Sequence, residues 1–150
     1  MITELEPELL KNIAVYPVVV QENVRYRDCD LQRHVNNAVF ATYFEIGRST
    51  AMREAMSKGA RRPKGSGGSV VRQIINYHGQ VRYPSVIQIG TGILRIGRTS
   101  FAYGSAVFCE DRCMASGEVT TVLTDRETGR PVVIPDDYRA TLESIALRRP

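Results

Sequence analysis

The spacing of apolar residues changes period along this chain, and that change restricts the folds open to it. Within residues 38–56, apolar side chains such as Phe40, Tyr43 and Phe44 recur at steps of three and four, which predicts a helix with a wide buried face. Within residues 69–124, apolar and polar residues alternate in four successive segments instead, which predicts four strands. The chain therefore has to pack one long buried helix against a sheet.

The connections between the predicted strands determine how the sheet is built. They carry short turn signals, namely Pro84-Ser85, Gly97-Arg98 and Glu110-Asp111-Arg112. Parallel strands need helix-length crossovers, so connections this short indicate antiparallel hairpins. A further β-branched run from Val18 to Asp28 precedes the helix and predicts a fifth strand. We therefore expect an α+β fold, with a five-stranded antiparallel sheet wrapped around a long helix.

Local signals mark the ends of the helices and one loop. Asn36 or Asn37 suits the N-cap of the long helix, and Gly59 suits its C-terminal stop. Residues 60–68 are basic and then rich in glycine and serine, which predicts a mobile basic loop. A short second helix is expected over residues 136–147.

Composition narrows the class of protein. The 150 residues, 43% hydrophobic and 24% charged, suit a single globular domain over 1–150 and contain no apolar run long enough for a membrane span. The acidic N-terminus does not resemble a signal peptide, and three cysteines form no even framework, so we expect a cytoplasmic protein. The net charge of +4 is dispersed and no nucleic-acid motif is present, which favours an anionic small molecule as partner. One short helix cannot cover the outer sheet face, so we expect a homo-oligomer.

The densest group of polar residues lies between the first strand and the long helix, at residues 28–37. A helix start supplies free backbone N–H groups that can hold a developing oxyanion, and Asp30 can approach the same point as nucleophile or general base. His34 and Asn37 could orient a water or a carbonyl, so the segment suits acyl transfer. The alternative interpretation is that Asp30 only caps the helix or forms a salt bridge near its start. Asp28, likewise, could pair with Arg25 or Arg27 in a structural role.

The same residues carry a resemblance to a known family. The string VRYRDCDLQRHVNNAVFATYFEIGR (24–48) resembles thioesterases of the hotdog superfamily, in the 4-hydroxybenzoyl-CoA thioesterase-like branch. Three later pieces are similar to that family as well, and they occur in the same order: Val81-Arg82-Tyr83-Pro84, Gly97-Arg98-Thr99-Ser100-Phe101 and Thr128-Gly129-Arg130-Pro131. The resemblance implies a hotdog fold.

The resemblance also implies an activity and roles for individual residues. It implies hydrolysis of an acyl-CoA thioester to a free acid and CoA, with Asp30 attacking the carbonyl or activating a water and the Asn37 N–H polarising that carbonyl. His34 and Asn36 match the family's His-Val-Asn-Asn element, which is also found in plant acyl-carrier-protein thioesterases. Gln32 occupies the position of a catalytic Asn in those plant enzymes, and Arg33 replaces the family's usual Gly. No metal or bound cofactor is implied, and the site is expected between the subunits of a homodimer or homotetramer.

Other residues are candidates for binding the substrate, and other functions stay open. Arg61, Arg62 and Lys64 could grip the phosphates of coenzyme A, with Ser100 as an alternative contact; a solvated loop is the simpler interpretation of the first three. Glu45 suits an ion pair with Arg48, although some hotdog enzymes use a helix acid as catalyst. The alternative functions are hydrolysis of acyl-acyl-carrier-protein, for which a basic face suits an acidic carrier, and non-catalytic binding of acyl-CoA.

Overall fold

The computed structural model describes residues 7–149 and contains two helices and five strands. In chain order these are β1 (Val18–Asn23), α1 (Val39–Lys58), β2 (Ser66–Tyr77), β3 (Val86–Ile96), β4 (Ser100–Cys109), β5 (Arg112–Asp125) and α2 (Asp136–Glu143). Short 3-10 turns occupy Leu9–Lys11, Ile13–Val15 and Tyr26–Asp28.

The five strands form one sheet in the order β1-β3-β4-β5-β2, and every neighbouring pair is antiparallel. The 20-residue helix α1 packs on the inner face of this sheet, against β1, β3 and β4. The predicted α+β architecture is therefore confirmed, as is the hotdog fold that the resemblance implies. Because β1 and β2 are consecutive in sequence but lie at opposite edges, α1 connects the two edges across the sheet.

The helix sits close to the sheet because small residues line its buried face. Gly47 lies over β3, where an added methyl group would come within 2.8 Å of Ile89 Cγ2 and nearer still to Thr91 Oγ1. On either side of it, fully buried side chains fill the space between helix and sheet, among them Phe44, Ala51, Ile87 and Ile89. Burial of these apolar side chains supplies the main driving force that holds α1 in place.

The outer face of β3 and β4 is covered by both ends of the described chain. Leu10, Val15 and Tyr16 pack there with Phe108 and Leu147 in a second apolar cluster. Gly90 on β3 permits this contact, since a side chain at that position would collide with the Tyr16 ring. The expectation that the outer face lacks cover is therefore wrong for these central strands. The large apolar side chains left exposed include several on β2, such as Val70 and Val71.

Several element boundaries differ from the sequence prediction. The first strand ends at Asn23 rather than Asp28, because residues 26–28 form a 3-10 turn closed by Asp28 Oδ2, which accepts from the Arg25 backbone N–H at 2.9 Å. The predicted loop 60–68 is shorter, since Ser66 already begins β2 and pairs with β5. The second helix ends at Glu143 rather than 147. The predicted stop at Gly59 is confirmed, and there the Gly59 N–H donates to the Ala55 carbonyl.

No helix between residues 7 and 149 is both long and apolar enough to cross a membrane.

Candidate functional site

The polar segment before α1 folds into a small hairpin. Cys29 and Val35 form an antiparallel bridge, and beyond it the Asp30 N–H donates to the His34 carbonyl at 3.1 Å. The turn is closed by the Arg33 N–H, which donates to the Asp30 carbonyl at 3.0 Å. Arg33 adopts a left-handed backbone with φ of 68°, the conformation that glycine favours. This explains in physical terms why Gly is usual at this position in the family that the sequence resembles.

The Asp30 side chain is partly buried at the tip of this hairpin. Its Oδ1 accepts from the Gln32 backbone N–H at 2.8 Å, which fixes the orientation of the carboxylate. Its second oxygen has no hydrogen-bond partner among residues 7–149. Asp30 does not cap α1, so one carboxylate oxygen is held by the backbone and the other is free to act.

The helix start provides backbone donors close to the hairpin. Asn36 Oδ1 accepts from the Ala38 N–H at 2.9 Å. The prediction that Asn36 or Asn37 is the N-cap of α1 is wrong, because the helix begins later, with Ala38 at the N-cap and no side-chain cap bond. The Asn37 carbonyl accepts from the Phe40 N–H and from the Tyr77 hydroxyl at 3.0 Å. The Asn37 N–H has no acceptor in the described part of the chain. The N-terminal end of a helix carries partial positive charge, which adds to the field at this N–H.

The hairpin register relates the carboxylate to this helix start. Asp28 lies opposite Asn36, since the Asn36 N–H donates to the Asp28 carbonyl at 2.9 Å, and Asp30 lies opposite His34. Asp30 and Asn37 are thus three residue steps apart along the hairpin. His34, between them, is partly buried, and its ring has no hydrogen-bond partner among the described residues.

Asp28 has a structural role that the sequence only partly predicts. Its Oδ2 accepts from the Arg25 backbone N–H and from the Tyr43 hydroxyl at 3.0 Å, rather than from the guanidinium of Arg25 or Arg27. Burial raises the pKa of Tyr43, and the Asp28 carboxylate raises it further, so the phenol stays a hydrogen-bond donor. Tyr43 on α1 therefore ties the hairpin to the helix. The helical period of the apolar residues predicts a buried Tyr43, which is confirmed, but this spacing does not indicate where the hydroxyl points.

A second feature lies along α1, where an open groove of about 400 Å³ is lined by the helix and by residues of β2, β4 and β5. Arg62 lines this groove, whereas Arg61, Lys64 and Ser100 do not. The structure therefore does not gather the four predicted phosphate contacts at this one place. Glu45 and Arg48 also line it, but the expected ion pair is absent, since no salt bridge joins them among residues 7–149. The exposed Glu45 carboxylate acts on Arg48 as a nearby charge, which opposes the lowering of the Arg48 pKa by burial.

The structure shows the state of the three cysteines but does not test whether the protein needs a metal. All three cysteines are free thiols, with Cys109 buried and Cys29 and Cys113 partly buried. Over the described range, no three His, Cys, Asp or Glu side chains lie together in a way that could hold a metal ion. The prediction that the protein needs no metal or cofactor stays a prediction.

Comparisons with known proteins identify similar sequences and folds. The family model of the Thioesterase-like superfamily matches residues 24–142. Among solved structures, the PA5185 protein of Pseudomonas aeruginosa is 27% identical, with a TM-score of 0.77 over 89% of this chain and 94% of that one. A predicted thioesterase from Bacillus stearothermophilus is 27% identical, with a TM-score of 0.75 over 88% and 98%.

A third solved structure is a thioesterase from Thermus thermophilus, complexed with coenzyme A and zinc. It is 28% identical to this chain, with a TM-score of 0.72 over 85% of this chain and 98% of that one. The comparison with curated proteins gave no match.

Proposed function

Because this chain belongs to the Thioesterase-like superfamily, we propose that it hydrolyses an acyl-CoA thioester to a free acid and CoA. The Thermus thermophilus thioesterase, which binds coenzyme A, supports CoA as the thiol portion. The order of motifs in residues 24–48 supports the 4-hydroxybenzoyl-CoA thioesterase-like branch. The three free cysteines of this chain are compatible with action in the reducing cytoplasm.

The observation that carries the proposal is the pairing of a carboxylate with one free oxygen, on Asp30, and a free backbone N–H at the start of α1, on Asn37. In the proposed reaction the Asn37 N–H donates to the thioester carbonyl oxygen and stabilises the negative charge that develops there. Asp30 either adds to the carbonyl carbon, giving an anhydride that water hydrolyses, or removes a proton from the water that adds. In both routes the C–S bond breaks and the CoA thiolate takes up a proton.

Neighbouring residues have supporting roles in this proposal. His34 and Asn36 orient the thioester or the attacking water from the same hairpin, and the Gln32 N–H positions the Asp30 carboxylate. Arg61, Arg62 and Lys64 form a basic segment directly after α1, with charges that suit the phosphates of CoA. Ser100, at the start of β4, is the alternative contact. The reaction proposed here needs water and these residues, with no bound cofactor.

We also propose that the protein acts as a homodimer or homotetramer with its site near a subunit interface. The 12-residue strand β2 lies at one edge of the sheet and is exposed along most of its length. A long uncovered edge strand presents unpaired backbone groups that a second copy can satisfy. The Tyr77 hydroxyl on β2 donates to the Asn37 carbonyl, so a copy seated on this edge would lie next to the helix start.

The experiment is thiol release from a panel of acyl-CoA thioesters, with the Asp30→Asn variant run beside the wild type. We expect the wild type to turn over at least one thioester and Asp30→Asn to lose about a hundredfold or more in kcat. The matched control is Asp111→Asn, at an exposed turn position whose φ of 61° asparagine tolerates. Equal rates for Asp30→Asn and wild type would contradict the assignment of Asp30. If the protein released thiol only from acyl-carrier-protein thioesters, these would replace acyl-CoA thioesters as the substrate class.

A further inference from the structure

The backbone carbonyl of Asn37 is held from outside its own helix by a tyrosine. The hydroxyl of Tyr77, the last residue of β2, donates to this carbonyl at 3.0 Å. The Phe40 N–H donates to the same oxygen at 3.3 Å, so the bond from Tyr77 is the shorter of the two. Asn37 carries the N–H that the proposed reaction uses. Its backbone orientation therefore depends in part on a side chain of an edge strand.

The ring of Tyr77 is held separately from its hydroxyl. It packs edge-to-face on Phe40, with ring centroids 5.4 Å apart and an interplanar angle of 83°. Phe40 is buried, and it packs in the same manner on Tyr43 at 5.7 Å. Such aromatic pairs stabilise the positions of their rings. Removal of the Tyr77 hydroxyl alone therefore leaves the ring in place and breaks only the bond to Asn37.

The connection that follows β2 is anchored at both of its sides. His78 Nε2 lies 2.8 Å from the hydroxyl oxygen of Ser116, a buried residue of β5. Further along, the Val81 carbonyl accepts from the Val35 N–H at 2.7 Å. The connection is thus joined to the sheet on one side and to the hairpin before α1 on the other. Tyr77 therefore lies on a fixed frame and not at a loose strand end.

We propose that Tyr77 is a positioning residue for the proposed hydrolysis. Its hydroxyl holds the Asn37 carbonyl and so fixes the backbone angles that aim the Asn37 N–H at the thioester oxygen. The proposal rests on the proposed thioesterase function, to which it adds a residue that acts through Asn37. A donor to a developing oxyanion is effective only when it is aimed in advance, so its misalignment lowers the rate of the chemical step more than it lowers substrate affinity.

The first experiment measures Tyr77→Phe on the acyl-CoA thioester that the wild type hydrolyses best. We expect kcat to fall about tenfold and KM to change less than twofold, because the binding contacts remain while the donor is less well aimed. The urea unfolding midpoint should stay near the wild-type value, since a half-exposed hydrogen bond gains little over one to water. A kcat within twofold of wild type would overturn the proposal, and so would a rise in KM alone.

A pair of inhibitors distinguishes positioning from a general loss of structure. A difluoromethylene ketone, with CF2 in place of the thioester sulfur, forms a hydrate that resembles the tetrahedral intermediate, and Tyr77→Phe should bind it about tenfold more weakly. A CoA thioether of the same length has no carbonyl oxygen for the N–H to hold, so its affinity should not change. Equal weakening of both inhibitors would overturn the proposal, because Tyr77 would then support the whole binding surface.

The control is Tyr26→Phe. The Tyr26 ring is exposed, and its hydroxyl has no hydrogen-bond partner in the described part of the chain. This variant should keep the wild-type kcat and both inhibitor affinities. A fall in kcat as large as that of Tyr77→Phe would overturn the proposal, because the effect would then not depend on the bond to Asn37.

Amide hydrogen exchange separates failure of this proposal from failure of the proposed function, because it needs no turnover. Exchange of the Phe40 amide, which shares the Asn37 carbonyl with Tyr77, should be several-fold faster in Tyr77→Phe, while the Gly59 amide at the other end of α1 keeps its rate. Faster exchange in a protein that hydrolyses no thioester would support the holding role of Tyr77 although the proposed function had failed. Equal exchange in both proteins would overturn this proposal alone.

Discussion

At the scale of single residues, the left-handed backbone of Arg33 shapes the hairpin that carries Asp30. A side chain in this conformation costs about 1–2 kcal/mol relative to ordinary backbone angles, and glycine avoids that cost. We predict that Arg33→Gly raises the free energy of unfolding by about 0.5–1 kcal/mol, since the greater freedom of glycine in the unfolded chain offsets part of the gain. Urea denaturation of the variant and the wild type measures the difference.

The matched comparison is Arg33→Val. A β-branched residue tolerates positive φ poorly, so this variant should lower the free energy of unfolding by at least about 1 kcal/mol. If Arg33→Gly proved less stable than wild type while Arg33→Val did not, the hairpin would depend on the arginine side chain and not on its backbone.

Tyr43 is the second residue whose role depends on a single hydrogen bond, which its hydroxyl donates to Asp28 Oδ2. We predict that Tyr43→Phe lowers kcat several-fold with little change in KM, because the hairpin bearing Asp30 is then held less firmly in the reactive geometry. The ring itself stays buried, so stability should fall by about 1 kcal/mol only. Steady-state kinetics on the best acyl-CoA substrate, with a urea unfolding curve, measures both effects.

Tyr83→Phe is the control, because the Tyr83 hydroxyl has no hydrogen-bond partner in the described chain and its ring is half exposed. It should keep the wild-type kcat. If Tyr43→Phe raised KM alone, Tyr43 would contribute to substrate binding and not to positioning.

At the scale of elements, the contact between α1 and the sheet depends on the absence of a side chain at Gly47. A methyl group there would collide with Ile89 and Thr91, both fully buried on β3. We predict that Gly47→Ala lowers the free energy of unfolding by about 1–3 kcal/mol, even though alanine is the better helix former. Thermal and urea unfolding measure the change.

Gly67→Ala on β2 is the matched control. Its added methyl would meet Arg126 at 3.4 Å, an ordinary contact with a flexible side chain. If Gly67→Ala lowered the free energy of unfolding as much as Gly47→Ala, both glycines would act through backbone freedom rather than through the closeness of helix and sheet.

The same elements show how far the sequence alone reaches. The period of the apolar residues predicted α1 and four of the strands, because side chains repeat at different steps along a helix and along a strand. It failed at residues 24–28, where β-branched and aromatic residues continue past the end of β1. That strand ends where the Asp28 carboxylate accepts a hydrogen bond from the Arg25 backbone N–H. The spacing of apolar residues does not indicate such a bond.

The candidate site was predictable as a segment but not in its geometry. Residues 28–37 stand out because polar and turn-forming residues interrupt two regular patterns. Spacing could not show that Tyr43 would bond to Asp28, nor that Glu45 and Arg48 would fail to pair although they lie one helical turn apart. Both outcomes depend on how α1 is rotated against the sheet, which many distant contacts determine together.

At the scale of the whole molecule, the most exposed apolar part of the sheet is its β2 edge. The side chains of Val70, Val71 and Tyr77 are 52%, 60% and 46% exposed, and the sheet continues to no further strand in residues 7–149. The opposite edge strand, β1, is half as long, with six residues. If two copies join along an edge, β2 therefore offers them the larger number of backbone hydrogen bonds.

We predict that Val71→Lys converts the proposed oligomer to smaller species at micromolar concentration, because a charge on the edge proposed to pair would oppose its own copy across the interface. Sedimentation velocity gives the assembly state, and thiol release at the same concentrations should fall in parallel if the site needs both copies. Val133→Lys is the control, since Val133 is 48% exposed but lies outside every strand. A variant at Val71 that keeps the wild-type assembly state would place the interface elsewhere. Loss of assembly with full activity would show instead that one subunit holds a complete site.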